Sequence, residues 1–119
     1  MNLGITVLYV RDVEKAKAFY TDVVGLPVDV EQSGPQFVMF RTDNGSLLAL
    51  EDIAISEADK SSKAGSAEIG FRMGGVDDIW KRWKAKGVQM VTEPETKPFG
   101  RTFTAKDPEG HFVTIYGEQ

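Results

Sequence analysis

The sequence predicts an α+β fold in which one βαβββ module of roughly 60 residues is used twice. Two internal matches support this. Val10 to Tyr20, VRDVEKAKAFY, and Met73 to Trp83, MGGVDDIWKRW, superpose at an offset of 63 residues (13 to 76), so that Val13 falls on Val76, Ala16 on Ile79 and Tyr20 on Trp83. Thr42 to Leu50, TDNGSLLAL, superposes on DPEGHFVTI at an offset of 65 (45 to 110), with Gly45 on Gly110 and Leu50 on Ile115. The second match is a tight turn followed by a strand. Pro108 presets φ for the turn, Gly110 closes it, and Phe112, Val113, Ile115 and Tyr116 supply β-prone side chains.

Along the chain, Leu3 to Val10 alternates as a strand, with Ile5, Val7 and Tyr9 on one face and Leu8 and Val10 on the other. Asp12 is a good N-cap. Val13, Ala16, Phe19, Tyr20 and Val23 then recur at helical spacing until Gly25 and Pro27 end the helix. Strands are expected at Val28–Glu31, Phe37–Thr42 and Ser46–Glu51, joined by turns at Ser33-Gly34-Pro35 and Asp43-Asn44-Gly45. Residues 52–66 are polar and without period, and read as a linker or a flap over a site. The boundaries that follow are module 1 at 1–52, linker 53–66 and module 2 at 67–119, within one domain. The second module repeats the order. It has a strand at Ala67–Met73, a helix from Gly75 to Lys86 stopped by Gly87, and strands at Gln89–Thr92, Thr102–Lys106 and Phe112–Tyr116.

Composition narrows the function classes. With 41% hydrophobic and 27% charged residues the chain is an ordinary globular one. The absence of cysteine excludes disulfides, thiolate metal sites and cysteine nucleophiles. It also fits a cytoplasmic, reducing compartment, as does the lack of a signal-type N-terminus. No apolar run is long enough for a bilayer. A net charge of −4, with Lys and Arg interleaved among acids, argues against nucleic acid as a partner. No Ser-His-Asp set and no phosphate-loop pattern is present.

The chain resembles the vicinal oxygen chelate superfamily, which includes glyoxalase I, extradiol dioxygenases and bleomycin-resistance proteins. The carrying residues are VLYVRDVEKAKAFY at 7–20, its twin at 73–83, GLPV at 25–28, Pro98-Phe99-Gly100-Arg101, and DPEGHFVTIY at 107–116. The resemblance implies two βαβββ modules whose mixed sheets curl into a cup with the helices outside. It also implies a homodimer whose cups are built from two subunits.

Metal-dependent relatives place His and Glu at four pseudosymmetric strand positions. Carried over, these are Ile5, Glu68, Ala49 and Thr114. Ile and Ala have no donor atom, and a neutral hydroxyl is a poor ligand. Glu51, two residues after Ala49, joins Glu68 only if the register slips by two, and no histidine joins them. The expectation is therefore no metal and no cofactor. His111 alternates with Val113 and Ile115, away from Thr114, and reads as a surface turn residue.

Alternation predicts the lining of the cup. Ile5, Val7, Tyr9, Leu47, Ala49 and Glu51 come from module 1; Glu68, Gly70, Arg72, Phe112, Thr114 and Tyr116 come from module 2. Such an apolar and aromatic hollow with few polar groups suits a small molecule. The candidate ligand-binding residues are Tyr9, Glu51, Glu68, Arg72, Phe99, Arg101, Thr114 and Tyr116. Glu68 could hold a cation or act as a base, or pair with Arg72 or Arg101. Arg72 and Arg101 could grip an acid, or serve as structural ion pairs. Phe99 sits in an aperiodic loop and reads as a rim residue, whereas Trp80 and Trp83 share helical spacing with Val76 and Ile79 and read as core or interface.

The leading expectation is a metal-free binder resembling bleomycin-resistance proteins. It would act in antibiotic resistance by sequestering a small hydrophobic compound, with Glu68 and Glu51 favouring positive charge. The alternative is a glyoxalase- or dioxygenase-type enzyme with an atypical site and Glu68 as base. A third reading is a domain that only dimerises or regulates.

Overall fold

A computed structural model describes residues 5–54, 65 and 67–118. The chain divides into two compact units, Met1–Gly65 and Ser66–Gln119. No helix among the described residues is long and apolar enough to cross a membrane.

In the first unit, strand β1 (Ile5–Val10) leads into helix α1 (Val13–Ala18), then strands β2 (Phe37–Arg41) and β3 (Leu47–Asp52). Asp12 caps α1 as expected, its carboxylate accepting from the Lys15 N–H at 3.0 Å. The helix does not stay α to its end. Phe19–Val24 widens into a π-turn, where the Thr21 hydroxyl donates to the Lys17 carbonyl at 3.0 Å and competes with the backbone ladder. Phe19 and Tyr20 both bury at this turn, packed edge to face at 5.1 Å. Gly25, at φ +87°, stops the turn, and the N–H groups of Gly25 and Leu26 both donate to the Tyr20 carbonyl.

The sheet order is β1-β3-β2, with β1 parallel and β2 antiparallel to β3. Leu8, Val10, Val38, Phe40, Leu48 and Leu50 are buried on one face, together with Val13, Ala16, Phe19 and Tyr20 from the helical segment. The strand expected at Val28–Glu31 does not form. Only an isolated bridge joins Val28 to Phe40, and Val30–Gln32 turns as a 3₁₀-helix. Asp29 causes this by accepting from the Gln32 N–H, while the Ser33 hydroxyl donates to the Asp29 carbonyl at 2.7 Å.

The second unit runs β4 (Glu68–Arg72), α2 (Val76–Ala85), β5 (Gln89–Met90), β6 (Glu95–Lys97), β7 (Gly100–Lys106) and β8 (Phe112–Gly117). Its sheet order is β4-β8-β7-β5, with β6 also paired to β7. The strand expected at Gln89–Thr92 ends early because the N–H groups of Val91 and Thr92 both donate to the Thr104 carbonyl, which breaks the ladder. Strand β6 is not among the strands expected from the sequence; Pro94 and Pro98 flank it, and as an edge strand it tolerates them. Val76, Ile79 and Trp83 bury the inner stripe of α2, and Trp83 meets Phe103 edge to face at 5.5 Å.

The doubling extends to register. Ile5 opposes Leu47 in the first parallel pair, and Glu68 opposes Phe112 in the second, so both sequence offsets reappear as strand partners. The linker or flap expected at 52–66 lies outside the described residues from 55 to 64 and at 66.

His111 requires a correction. It is not a surface residue but 1% exposed, with Nδ1 2.6 Å from Asp107 Oδ2. Alternation put it with Val113 and Ile115 correctly, but that face is the buried one. Asp107 Oδ1 also accepts from the N–H groups of Glu109 and His111, at 2.9 Å each. The DPEGH turn is therefore a buried carboxylate holding its own loop and a histidine.

Candidate functional site

Each unit has one sheet face turned away from its helix. In the first unit Ile5, Val7 and Tyr9 from β1 align with Leu47, Ala49 and Glu51 from β3, and these with Arg41, Met39 and Phe37 from β2. Glu51 thus stands between Tyr9 and Phe37. Ala49, between Val7 and Met39, is fully buried. Alternation within FVMFR could have placed Phe37 and Met39 on this face, and they complete what β1 and β3 begin.

In the second unit the corresponding rows are Glu68–Phe112–Lys106, Gly70–Thr114–Thr104 and Arg72–Tyr116–Thr102. Glu68 pairs with neither Arg72 nor Arg101. Its Oε2 accepts from the Thr114 hydroxyl at 2.9 Å, and Thr114 Oγ1 lies 2.8 Å from Thr104 Oγ1. Thr104 could be reached from the sequence only through register, because neither its spacing nor its neighbours single it out. Gly70 leaves room for an aromatic ring: a Cβ there would stand 3.3 Å from Tyr116 Cε1. Phe99, in the β6–β7 turn, is 65% exposed and meets Tyr116 edge to face at 6.4 Å. Phe112, 41% exposed, lies under the Lys106 ammonium at 5.7 Å. Glu68, Phe99, Thr114 and Tyr116 therefore gather on one face of one unit, while Tyr9 and Glu51 share the face of the other.

The two arginines separate. Arg72 stands on β4 beside Tyr116 and forms no ion pair among the described residues; it borders a shallow hollow of about 320 Å³ with Met73, Gly74, Gly117 and Glu118. Arg101 is on the other side of β7. It alternates with the buried Phe103 and Ala105 and reaches the first turn of α2. There its Nε and Nη2 donate to the two carboxylate oxygens of Asp77 at 2.9 and 3.2 Å, and its Nη1 donates to Thr96. The Arg101 hydrogen bonds hold the Asp77 carboxyl below the usual carboxylate range, against a smaller upward push from desolvation, and raise Arg101 in turn. Arg101 is thus a structural ion pair on the helix side and not part of the aromatic face. A hollow of about 400 Å³ beside it, lined by Gly75, Val76, Asp77, Asp78 and Arg101, is the larger of the two, but its one cation is already engaged by Asp77 and Val76 is the one apolar side chain in its lining. The sheet face better fits the make-up of a ligand site.

The residues present do not fit the metal that the fold family implies. Ile5 and Ala49 bring no donor atom, and Thr114 spends its hydrogen on Glu68. Among the described residues no three His, Cys, Asp or Glu side chains converge as a ligand set.

Comparison with known proteins gives the same architecture. The chain is 28% identical over 122 residues to the phenazine antibiotic resistance protein EhpR of Enterobacter agglomerans, covering 94% of this chain and 88% of that one. A lactoylglutathione lyase from Agrobacterium tumefaciens superposes with TM-score 0.80 at 25% identity, covering 98% of this chain and 92% of the other. TnmS3, an antibiotic binding protein from Streptomyces sp. CB03234, superposes with TM-score 0.83 at 24% identity over 100% and 97% of the two chains. The family model of the Glyoxalase/Bleomycin resistance protein/Dioxygenase superfamily matches residues 2–115, nearly the whole chain. This chain belongs to that superfamily.

Proposed function

We propose that the protein is a metal-free small-molecule binder of the resistance type, which sequesters a flat hydrophobic compound against its open sheet faces. One observation carries the reading: in the second unit, where metal-dependent relatives would place ligands, Glu68 is tied to Thr114, with Phe112 opposite Glu68 and the Tyr116–Phe99 pair further along the same face. Aromatic area with an acceptor-rich centre favours planar, donor-bearing or cationic guests over chelated ones. The resistance role named for EhpR and the antibiotic binding named for TnmS3 support this direction. In this reading the protein is a cytoplasmic homodimer whose cups each draw on two subunits. Tyr9 and Glu51, on the open face of the first unit, and Arg72, beside Tyr116 on the second, are further candidate ligand contacts.

The test is a titration with 9-aminoacridine, a flat aromatic cation, followed through tryptophan fluorescence. The expected result is saturable, stoichiometric binding with the compound recovered chemically intact, and a dimer by light scattering. Detectable product would overturn the reading.

The likeness to a lactoylglutathione lyase keeps one enzyme reading in view, with Glu68 as a metal-free base. If any turnover were found and Glu68→Gln left it intact, that version would be dead.

A further inference from the structure

The hydroxyl row on the second sheet has a direction. The Thr114 hydroxyl donates to Glu68 Oε2 at 2.9 Å, and a hydroxyl has only one hydrogen to give. At its 2.8 Å contact with Thr104, Thr114 is therefore the acceptor and Thr104 the donor. That spends the Thr104 hydrogen as well. The backbone does not reverse this: the Thr104 N–H donates to Thr92 Oγ1, and the Thr104 carbonyl accepts from Val91 and Thr92. What the row offers outward is acceptor lone pairs only, on Glu68 and on Thr104. The two sit on β4 and β7, one strand apart on either side of β8. Phe112 and Tyr116 flank Thr114 at i−2 and i+2 on the same face.

We infer that the Thr104–Thr114–Glu68 row makes the centre of this face select ligands that place an N–H or O–H donor over it, and disfavour flat ligands of the same size that place only acceptors there, the donors of Arg72, Tyr116 and Lys106 standing in the rows to either side. The inference rests on the reading of this face as the ligand site. An acceptor-only guest would set its lone pairs against those of the row and leave both sides unpaired, which is the costlier arrangement. The selectivity belongs to the polarity of the chain and not to charge alone, because it applies to neutral ligands.

The probes are three neutral tricyclic aromatics: carbazole with one N–H donor, phenazine with two ring acceptors, and anthracene with neither. Binding is measured by fluorescence titration of the full chain. The expected order is carbazole tightest, with phenazine about tenfold weaker. In Thr114→Val the row is cut while the Glu68 charge remains, and the gap should close to about twofold. In Glu68→Gln the amide can donate to Thr114 and reverse the row, so phenazine should gain relative to carbazole. Thr104→Val, at the outer end, removes one acceptor and should narrow the gap even if Thr114→Val folds poorly. Equal binding of carbazole and phenazine, or a gap unchanged in the valine variants, would overturn the inference while leaving the binding role standing. Failure of all three probes to bind would overturn the binding role and this inference together.

Discussion

At the scale of single residues, Asp107 is the side chain on which most depends. It is 4% exposed and satisfies two backbone N–H groups and the His111 ring at once. Removing it would leave these donors unpaired in a buried place, the expensive side of the hydrogen-bond asymmetry. Asp107→Ala is expected to cost about 3 kcal/mol. Asp107→Asn should cost less, since its remaining oxygen still accepts from the backbone. Urea midpoints for the two variants check this, and an alanine variant as stable as wild type would show that the turn holds without its clamp. The ligand-facing residues behave differently. Phe99 is exposed and its ring meets Tyr116 edge to face, so Phe99→Ala should leave the midpoint within about 0.5 kcal/mol of wild type. If it also leaves 9-aminoacridine binding unchanged, the rim role assigned to Phe99 is wrong.

At the scale of elements, the tight points are where β4 and β8 end. A Cβ on Gly117 would stand 2.0 Å from the Met73 carbonyl oxygen, and one on Gly100 would stand 2.5 Å from the Gly117 carbonyl oxygen. Both neighbours are backbone and cannot swing aside. Gly117→Ala should therefore push β8 from β4 and lower stability by about 2–3 kcal/mol, seen as lost amide protection at Met73, whose N–H donates to the Tyr116 carbonyl. Full protection at Met73 in that variant would mean that the strand end yields more cheaply than its geometry implies. Helix α2 is held from two sides, by Trp83 in the core and by the Arg101–Asp77 pair at its first turn. The pair is solvent-facing and contributes little at high salt. Its sign is still defined. The Asp77 pKa is lowered in the fold, so its contribution is complete above the ordinary value of 3.8 and is lost as pH falls through the folded value. Asp77→Asn should lose more relative to wild type at pH 7 than at pH 2.5, and an equal loss at both would remove the pair from the acid response.

At the scale of the whole chain, the proposed metal-free role sets this protein against the metal-dependent members of its superfamily, and it rests on the lack of a converging ligand set among the described residues. Protein purified without chelator should hold well under one equivalent of Fe, Mn, Ni or Zn, and EDTA should move neither its melting temperature nor its affinity for 9-aminoacridine. Near one equivalent of bound metal would mean that the ligand set has been misread, and Glu51 and Glu68 would be the first residues to replace. Much of this architecture was legible in the residues. The helices, their Asp12 and Gly25 ends, the doubled order and the two offsets all depend on spacing along the chain, which sequence records directly. The failures at Val28–Glu31 and Gln89–Thr92 were local: a capping Asp29 and a carbonyl shared by two N–H groups outcompeted strand pairing. Periodicity does not register either device. The larger gaps were of another kind. Whether Arg101 faces a ligand or Asp77, whether His111 is wet or buried, and whether Glu68 meets an arginine or a threonine depend on which strands lie side by side and in what register. Alternation along one strand tells which face a side chain takes, and it did so correctly for Glu68, Thr114 and His111. It cannot tell which face is dry or what stands opposite, because those are distances between residues far apart in the chain, and only the packed structure brings them within reach of a hydrogen bond.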